Sequence, residues 1–345
     1  MVLFMFFAQF YGVLQLSWLG SLTRTVRWRV LLLALLAGVA VVMPITLLLE
    51  LGGARLYGLV TDQAFVIALN DNAYTIDPFL EEILKILPLI IACMIPATRR
   101  QLSLVDVVLL GAALGSGFGL AEAFFNFNSS IDLADYIKEG DIWAFAGSIF
   151  AFVAIPGVGR TLISWLPAGA SIMDPTDVVT YGALQVNSHL VWSALVGLGL
   201  GLLLRLRPRW KWIGLLPIVL MGMAHAAQNV PGSVSPGELE QNMVLSTFTT
   251  VFTWINTWNW LFPLLALGVA TWLDMRVIRG ALADVPDLLF PAERQSRFGL
   301  WNVALQLRSK PWSTGLLWRL VLRRRAFALH KARTPRDFAT LKPIH

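Results

Sequence analysis

Phe79-Leu80-Glu81-Glu82-Ile83-Leu84-Lys85 opens an apolar run that continues to Ile95 without another charge. A helix of about 20 apolar residues crosses the hydrocarbon core of a bilayer, and this run has nearly that length. Its opening is the exception. A charged side chain at mid-bilayer costs at least ~2.5–3.5 kcal/mol, so charges inside spans persist where they do chemistry, transport or pairing. The segment therefore reads as a transmembrane helix whose first turns carry either a boundary or a polar site.

The whole chain supports the membrane reading. Of its 345 residues 57% are hydrophobic and only 14% charged, with a mean hydropathy of +0.67. Soluble domains run near ~25% charged residues, so a polytopic all-α membrane bundle is expected. Cys93 is the single cysteine, which excludes an intramolecular disulfide framework. Residues 1–16 are apolar, without a basic start or a small-residue cleavage site, and read as a retained anchor.

Apolar segments of spanning length lie at about residues 2–20, 30–51, 79–95, 104–125, 184–204, 212–230 and 245–272. The short connections with Arg24, Arg27 and Arg29, with Arg99 and Arg100, and with Arg205, Arg207, Arg209 and Lys211 are strongly basic; the remaining ones hold Arg55, Lys138 and Arg160. The positive-inside rule puts the basic loops in the cytoplasm. Seven spans follow, with the N-terminus outside and the C-terminus inside. Residues 142–158 are apolar but short, and Pro156 and Gly157 break their end; a re-entrant or interfacial helix is expected there. Three parts result: a pair of N-terminal spans over 1–51, a core over 52–272 and a basic tail over 273–345.

On this topology the polar intramembrane residues share one depth. Glu81 and Glu82 open a span that enters from outside, Glu122 closes the next, His189 lies early in another, and His225 and Asn229 finish one that is leaving. Each residue also has a plainer reading. The Glu81/Glu82 pair suits a helix N-terminus, which the macrodipole favours, with Lys85 one turn on as an ion-pair partner. Gly111, Gly115, Gly117 and Gly119 suit close helix packing, yet they lead to Glu122, a carboxylate within that tight interface. A lone membrane histidine is usually a helix–helix hydrogen-bond partner. His225 and Asn229, four residues apart, share a helix face and could both donate toward a developing oxyanion.

The order Glu81-Glu82-x-x-Lys85, Phe118-x-x-x-Glu122, His189 and His225-x-x-x-Asn229 resembles the PrsW family of intramembrane proteases, within the superfamily of CAAX prenyl proteases and Abi-like proteins. The resemblance covers about residues 79–272. It implies that Glu81 activates water, that Glu82 and Lys85 complete its motif, that Glu122 fills the second-motif position beside Phe118, and that His189 and His225 with Asn229 are the remaining polar groups. Relatives commonly follow the second-motif acid with asparagine, whereas this chain has Ala123, which leaves Asn126 as another partner for Glu122.

The expected activity is hydrolysis of a peptide bond of a membrane protein near the extracytoplasmic boundary. Glu81 would be the general base, with His225 and Asn229 donating to the carbonyl oxygen. No cofactor is needed for this route. The alternative is a zinc protease with Glu81, Glu122, His189 and His225 as ligands, although no HExxH is present. A proton-coupled transporter and a non-enzymatic scaffold are the rivals from other classes. The transporter is disfavoured by acids near one surface and by the lack of an internal repeat. The resemblance implies a single-span membrane-protein substrate, such as an anti-sigma factor.

After Trp272 the chain carries fourteen basic and five acidic side chains. Leu316, Leu317, Trp318, Leu320 and Val321 lead into Arg323, Arg324 and Arg325, a pattern for an interfacial helix on the anionic inner leaflet or for a basic tail without fixed structure. No nucleic-acid motif accompanies the charge. Trp143 and Trp165 read as interface anchors or as a gate near the outer insertion.

Overall fold

A computed structural model describes residues 2–128, 188–258 and 261–281. The expectations for residues 142–158 and for the basic tail beyond residue 281 lie outside them. Every regular element among the described residues is helical: α1 (Val2–Leu19), α2 (Trp28–Ala37), α3 (Met43–Thr61), α4 (Phe65–Thr75), α5 (Asp77–Met94), α6 (Pro96–Gln101), α7 (Leu104–Asn128), α8 (Ser188–Arg205), α9 (Leu215–Ser233), α10 (Pro236–Gln241), α11 (Met243–Thr257) and α12 (Leu261–Ala281).

Helices α2 and α3 are one rod, Trp28–Thr61, joined through a wide π turn at Gly38–Val42. Pro44 follows that turn directly. It has no N–H to donate, and its ring crowds the carbonyl one turn earlier, a usual cause of such a local distortion. The rod ends at Asp62, whose φ of 56° turns the chain back toward α4.

Helix α7 is the centre of the bundle, buried along its whole stretch from Leu104 to Ala121. Its glycines explain how. A Cβ on Gly111 would lie 2.3 Å from the Ser193 carbonyl of α8, and one on Gly115 2.2 Å from the His189 carbonyl. On the other side a Cβ on Gly117 would lie 1.9 Å from the Leu35 carbonyl of α2. Small residues four apart let backbones approach closely in lipid, so the glycine run brings α8 and α2 against opposite faces of α7.

The N-terminus of α7 is held by carboxylates. Asp274 of α12 accepts from the Leu104 and Val105 amides at 3.0 and 3.1 Å, and Asp106 accepts from the amides of Ser103, Thr25 and Val26 at 2.6, 2.7 and 3.0 Å. These bonds satisfy the amides that a helix start leaves unpaired. Arg205, at the end of α8, donates to the Leu102 carbonyl at 2.6 Å and lies 3.8 Å from Asp274. The charged clamp and Glu122 thus lie about 26 Å apart along α7 at the helical rise of ~1.5 Å per residue.

The span count differs from the sequence expectation. Among the described residues four helices, Trp28–Thr61, Leu104–Glu122, Ser188–Arg205 and Lys211–Ser233, are long and apolar enough to cross a membrane, or five if the bent pair α11–α12 is one span. Seven are not confirmed. The segment expected as one span at 245–272 is two helices inclined by 66°. Helix α5 falls short through its own Asp77, Glu81, Glu82 and Lys85. The second span, drawn to residue 51, runs on to Thr61, and the short α4 that follows lacks an apolar run in the sequence long enough to announce it.

Candidate active site

Four helices deliver the polar residues to one place. Pro78 opens α5 at a position where its missing N–H costs nothing, so Glu81, Glu82 and Lys85 fall on its first three turns. Glu122 comes from α7, His189 from the first turn of α8, and His225 from the middle of α9. Gly119 is what admits His189: a Cβ there would lie 2.8 Å from the imidazole Cδ2.

Lys85 is the hub. It is fully buried, and its Nζ donates to Glu82 Oε1 at 2.8 Å, meets His189 Nδ1 at 2.9 Å and lies 3.0 Å from Glu81 Oε2. The ring of Phe118 lies beneath it, 4.2 Å to the centroid, within the range of a cation–π contact. His189 Nε2 reaches Glu122 Oε2 at 2.5 Å. His225 Nδ1 stands 3.3 Å from Glu82 Oε1, off the line a hydrogen bond needs, and its Nε2 stands 3.8 Å from Glu81 Oε2. The structure therefore brings together Glu81, Glu82, Lys85, Phe118, Glu122, His189 and His225.

Asn229 is placed otherwise. Its amide donates to the Ala73 carbonyl of α4 at 2.8 Å, so it ties α9 to α4 rather than pointing an N–H beside His225. The two residues do share a helix face, but the neighbour across that face is a backbone carbonyl. The side chain of Asn126 lies outside the described residues.

Three participants are absent from the sequence reading. Trp192, three residues after His189, stacks on His225 with centroids 4.3 Å apart and planes at 26°, and meets the His189 ring edge-on. Ser193, four after His189, donates to Glu82 Oε2 at 3.4 Å. The Glu50 carboxyl of α3 lies beside Glu81, and its Oε1 is buried without a partner. Glu50 does carry a signal in the sequence: it is the lone charge between Val30 and Leu51, a place where an acid is costly.

The chemistry available is that of a buried acid–base cluster. Four carboxyls and two imidazoles cluster about one ammonium, with Glu81, Glu82, Lys85, His189 and His225 buried. Glu81, His189 and His225 each offer a ligand atom, all within 4.8 Å of one another.

Residues 26–147 match the model of the PrsW family intramembrane metalloproteases.

The match spans roughly a third of the chain and includes Glu50, Glu81, Glu82, Lys85, Phe118 and Glu122. It starts earlier than the motifs alone required, taking in α2 and α3, and stops before His189 and His225. The two histidines are thus tied to the PrsW motifs by the packing of α8 and α9. No curated protein and no solved structure matches the chain. The PrsW match together with the apolar helices supports a membrane-embedded hydrolase of peptide bonds.

Proposed function

We propose that the chain is a membrane endopeptidase that cuts a membrane protein near the extracytoplasmic boundary, with Glu81 as general base. The observation that carries this reading is the meeting of Glu81, Glu82, Glu122, His189 and His225 around Lys85 from four helices. A scaffold would need these groups only as separate helix–helix pairs.

Glu81 has the position for a base. Its Oε2 makes no directed hydrogen bond, and the 3.8 Å separating it from His225 Nε2 is too long for direct bonding and suits a shared third group. In the proposed step a water oxygen attacks the scissile carbonyl carbon while its proton passes to the Glu81 carboxylate. An N–H from His225 Nε2 supports the oxygen that becomes negative, and the proton on Glu81 then goes to the leaving nitrogen as the C–N bond breaks. General-base help contributes about 10²–10⁴-fold and an oxyanion donor about 10²–10³-fold. The test is cleavage of single-span reporter proteins with varied outer boundaries by the chain in nanodiscs. Glu81→Gln and His225→Ala are expected to abolish it; cleavage at the wild-type rate would overturn the assignment.

A second reading is favoured by one oxygen and two nitrogens within 4.8 Å and by the family's description as metalloproteases. The donor set fits zinc, and Glu81 Oε2 and His225 Nδ1 are buried without hydrogen-bond partners. Glu81, His189 and His225 would hold the ion, which when bound supplies Lewis-acid polarisation. Lys85 would then have to withdraw from Glu81 and His189.

Seven spans, an outside N-terminus and a cytoplasmic tail on the anionic leaflet complete the proposal. The substrate would be a single-span membrane protein, with an anti-sigma factor as the family analogy.

A further inference from the structure

We propose that Lys85 is a positioning residue that fixes His189 as the neutral Nε2–H tautomer, which leaves Glu81 rather than His189 as the base. An ammonium has three donors and no acceptor. Lys85 Nζ has three polar neighbours: it donates to Glu82 Oε1 at 2.8 Å, faces His189 Nδ1 at 2.9 Å and pairs by charge with Glu81 Oε2 at 3.0 Å. Its side chain is fully buried, and the Phe118 ring closes the remaining side.

A nitrogen facing a donor that cannot accept must itself accept. His189 Nδ1 is therefore unprotonated, and the ring proton sits on Nε2, where Glu122 Oε2 receives it at 2.5 Å. Both ends of the imidazole are engaged, one by a cation and one by a carboxylate. The tautomer of a histidine is set by the bond its other nitrogen makes, and here both bonds give the same answer. His189 Nδ1 cannot take a proton from water without expelling Lys85, and Nε2 already holds one.

The consequence for catalysis rests on the endopeptidase reading, whereas the tautomer does not. The test is NMR of isotope-labelled histidine nitrogens in the full chain in nanodiscs, with His189 assigned by the signals lost in His189→Gln. The expected spectrum shows Nδ1 as a bare acceptor nitrogen and Nε2 as an N–H with one-bond proton coupling. Lys85→Arg, still a pure donor, keeps that pattern, and Lys85→Met moves a measurable fraction of the proton to Nδ1. A proton on Nδ1 in the wild type, or an unchanged single tautomer in a folded Lys85→Met, overturns the inference. Should Lys85→Met not fold, the wild type and Lys85→Arg decide. Cleavage that survives Glu81→Gln alongside the expected spectrum would remove Glu81 as the base and leave the tautomer standing.

Discussion

Glu122 Oε2 lies 2.5 Å from His189 Nε2, so an acid of the central helix holds the first histidine of the next described one. The contact spans the long insertion between α7 and α8 and makes Glu122 an orienting partner of an imidazole. Glu122→Ala is expected to slow cleavage about 10- to 100-fold, the usual effect of losing a group that orients a site histidine. Glu122→Gln, whose amide oxygen still accepts from Nε2, should retain more activity than Glu122→Ala. Turnover of a nanodisc-reconstituted reporter measures both; equal losses would show that the charge matters and the acceptor does not.

Glu81→Gln separates an enzyme from a scaffold. Glutamine keeps the shape of the side chain and loses the base, so turnover should fall by about 10²–10⁴-fold while thermal unfolding in the same nanodiscs shifts little. If the chain unfolds without measurable loss of turnover per folded molecule, the cluster is structural.

The Glu50 carboxyl lies beside Glu81 from α3, and its Oε1 is buried without a partner. Its expected role is to aim the Glu81 carboxyl. Glu50→Gln can donate to that carboxylate through its amide and should keep most activity, whereas Glu50→Leu should lower kcat roughly tenfold with KM unchanged. Since Leu removes a costly acid from an apolar rod, the melting temperature should hold or rise. A rise in KM alone would assign Glu50 to substrate contact instead.

Much of this site is legible in the sequence alone, and particular residues show why. Glu81, Glu82, Glu122, His189 and His225 stand out because lipid makes each expensive, and a shared depth follows from the arginine loops alone. Glycine spacing announces the packing of α7. What escapes a linear reading is what only a third dimension supplies. Trp192 looks like any apolar residue of its span, and its stacking on His225 depends on how α8 meets α9. Asn229 has the right periodicity, but periodicity does not reveal that Ala73 lies opposite. The bend within one expected span is hidden for a similar reason: composition alone gives no sign that 245–272 divides into α11 and α12.

Packing at Gly115 should be tested directly. A Cβ there would lie 2.2 Å from the His189 carbonyl and 2.5 Å from Ser193 Cβ, and backbone cannot yield as a flexible side-chain tip can. Gly115→Ala is expected to destabilise the chain by about 1–3 kcal/mol and to reduce turnover with it, because the displaced helix carries His189 and Ser193. Thermal unfolding in detergent together with cleavage rates measures this. A variant as stable as wild type but inactive would show that α8 had shifted without a packing cost, contrary to the contact.

Orientation is the remaining link between the arginine loops and the depth of the site. Arg99 ends the short α6 after α5, and Arg207 follows α8, whereas Asp62 ends α3 and Gly237 lies in α10. On the proposed orientation the first two lie in the cytoplasm, and the run of the helices would carry the other two to the opposite face, the end at which Glu81 and His225 lie. Cys93 is buried and can be replaced by serine to give a background free of cysteine. Single cysteines at 62 and 237 are then expected to react with a membrane-impermeant maleimide on intact cells, and those at 99 and 207 only after the membrane is opened. The reverse pattern would move the site to the cytoplasmic boundary. Cleavage would then have to occur there, on a different part of any single-span substrate.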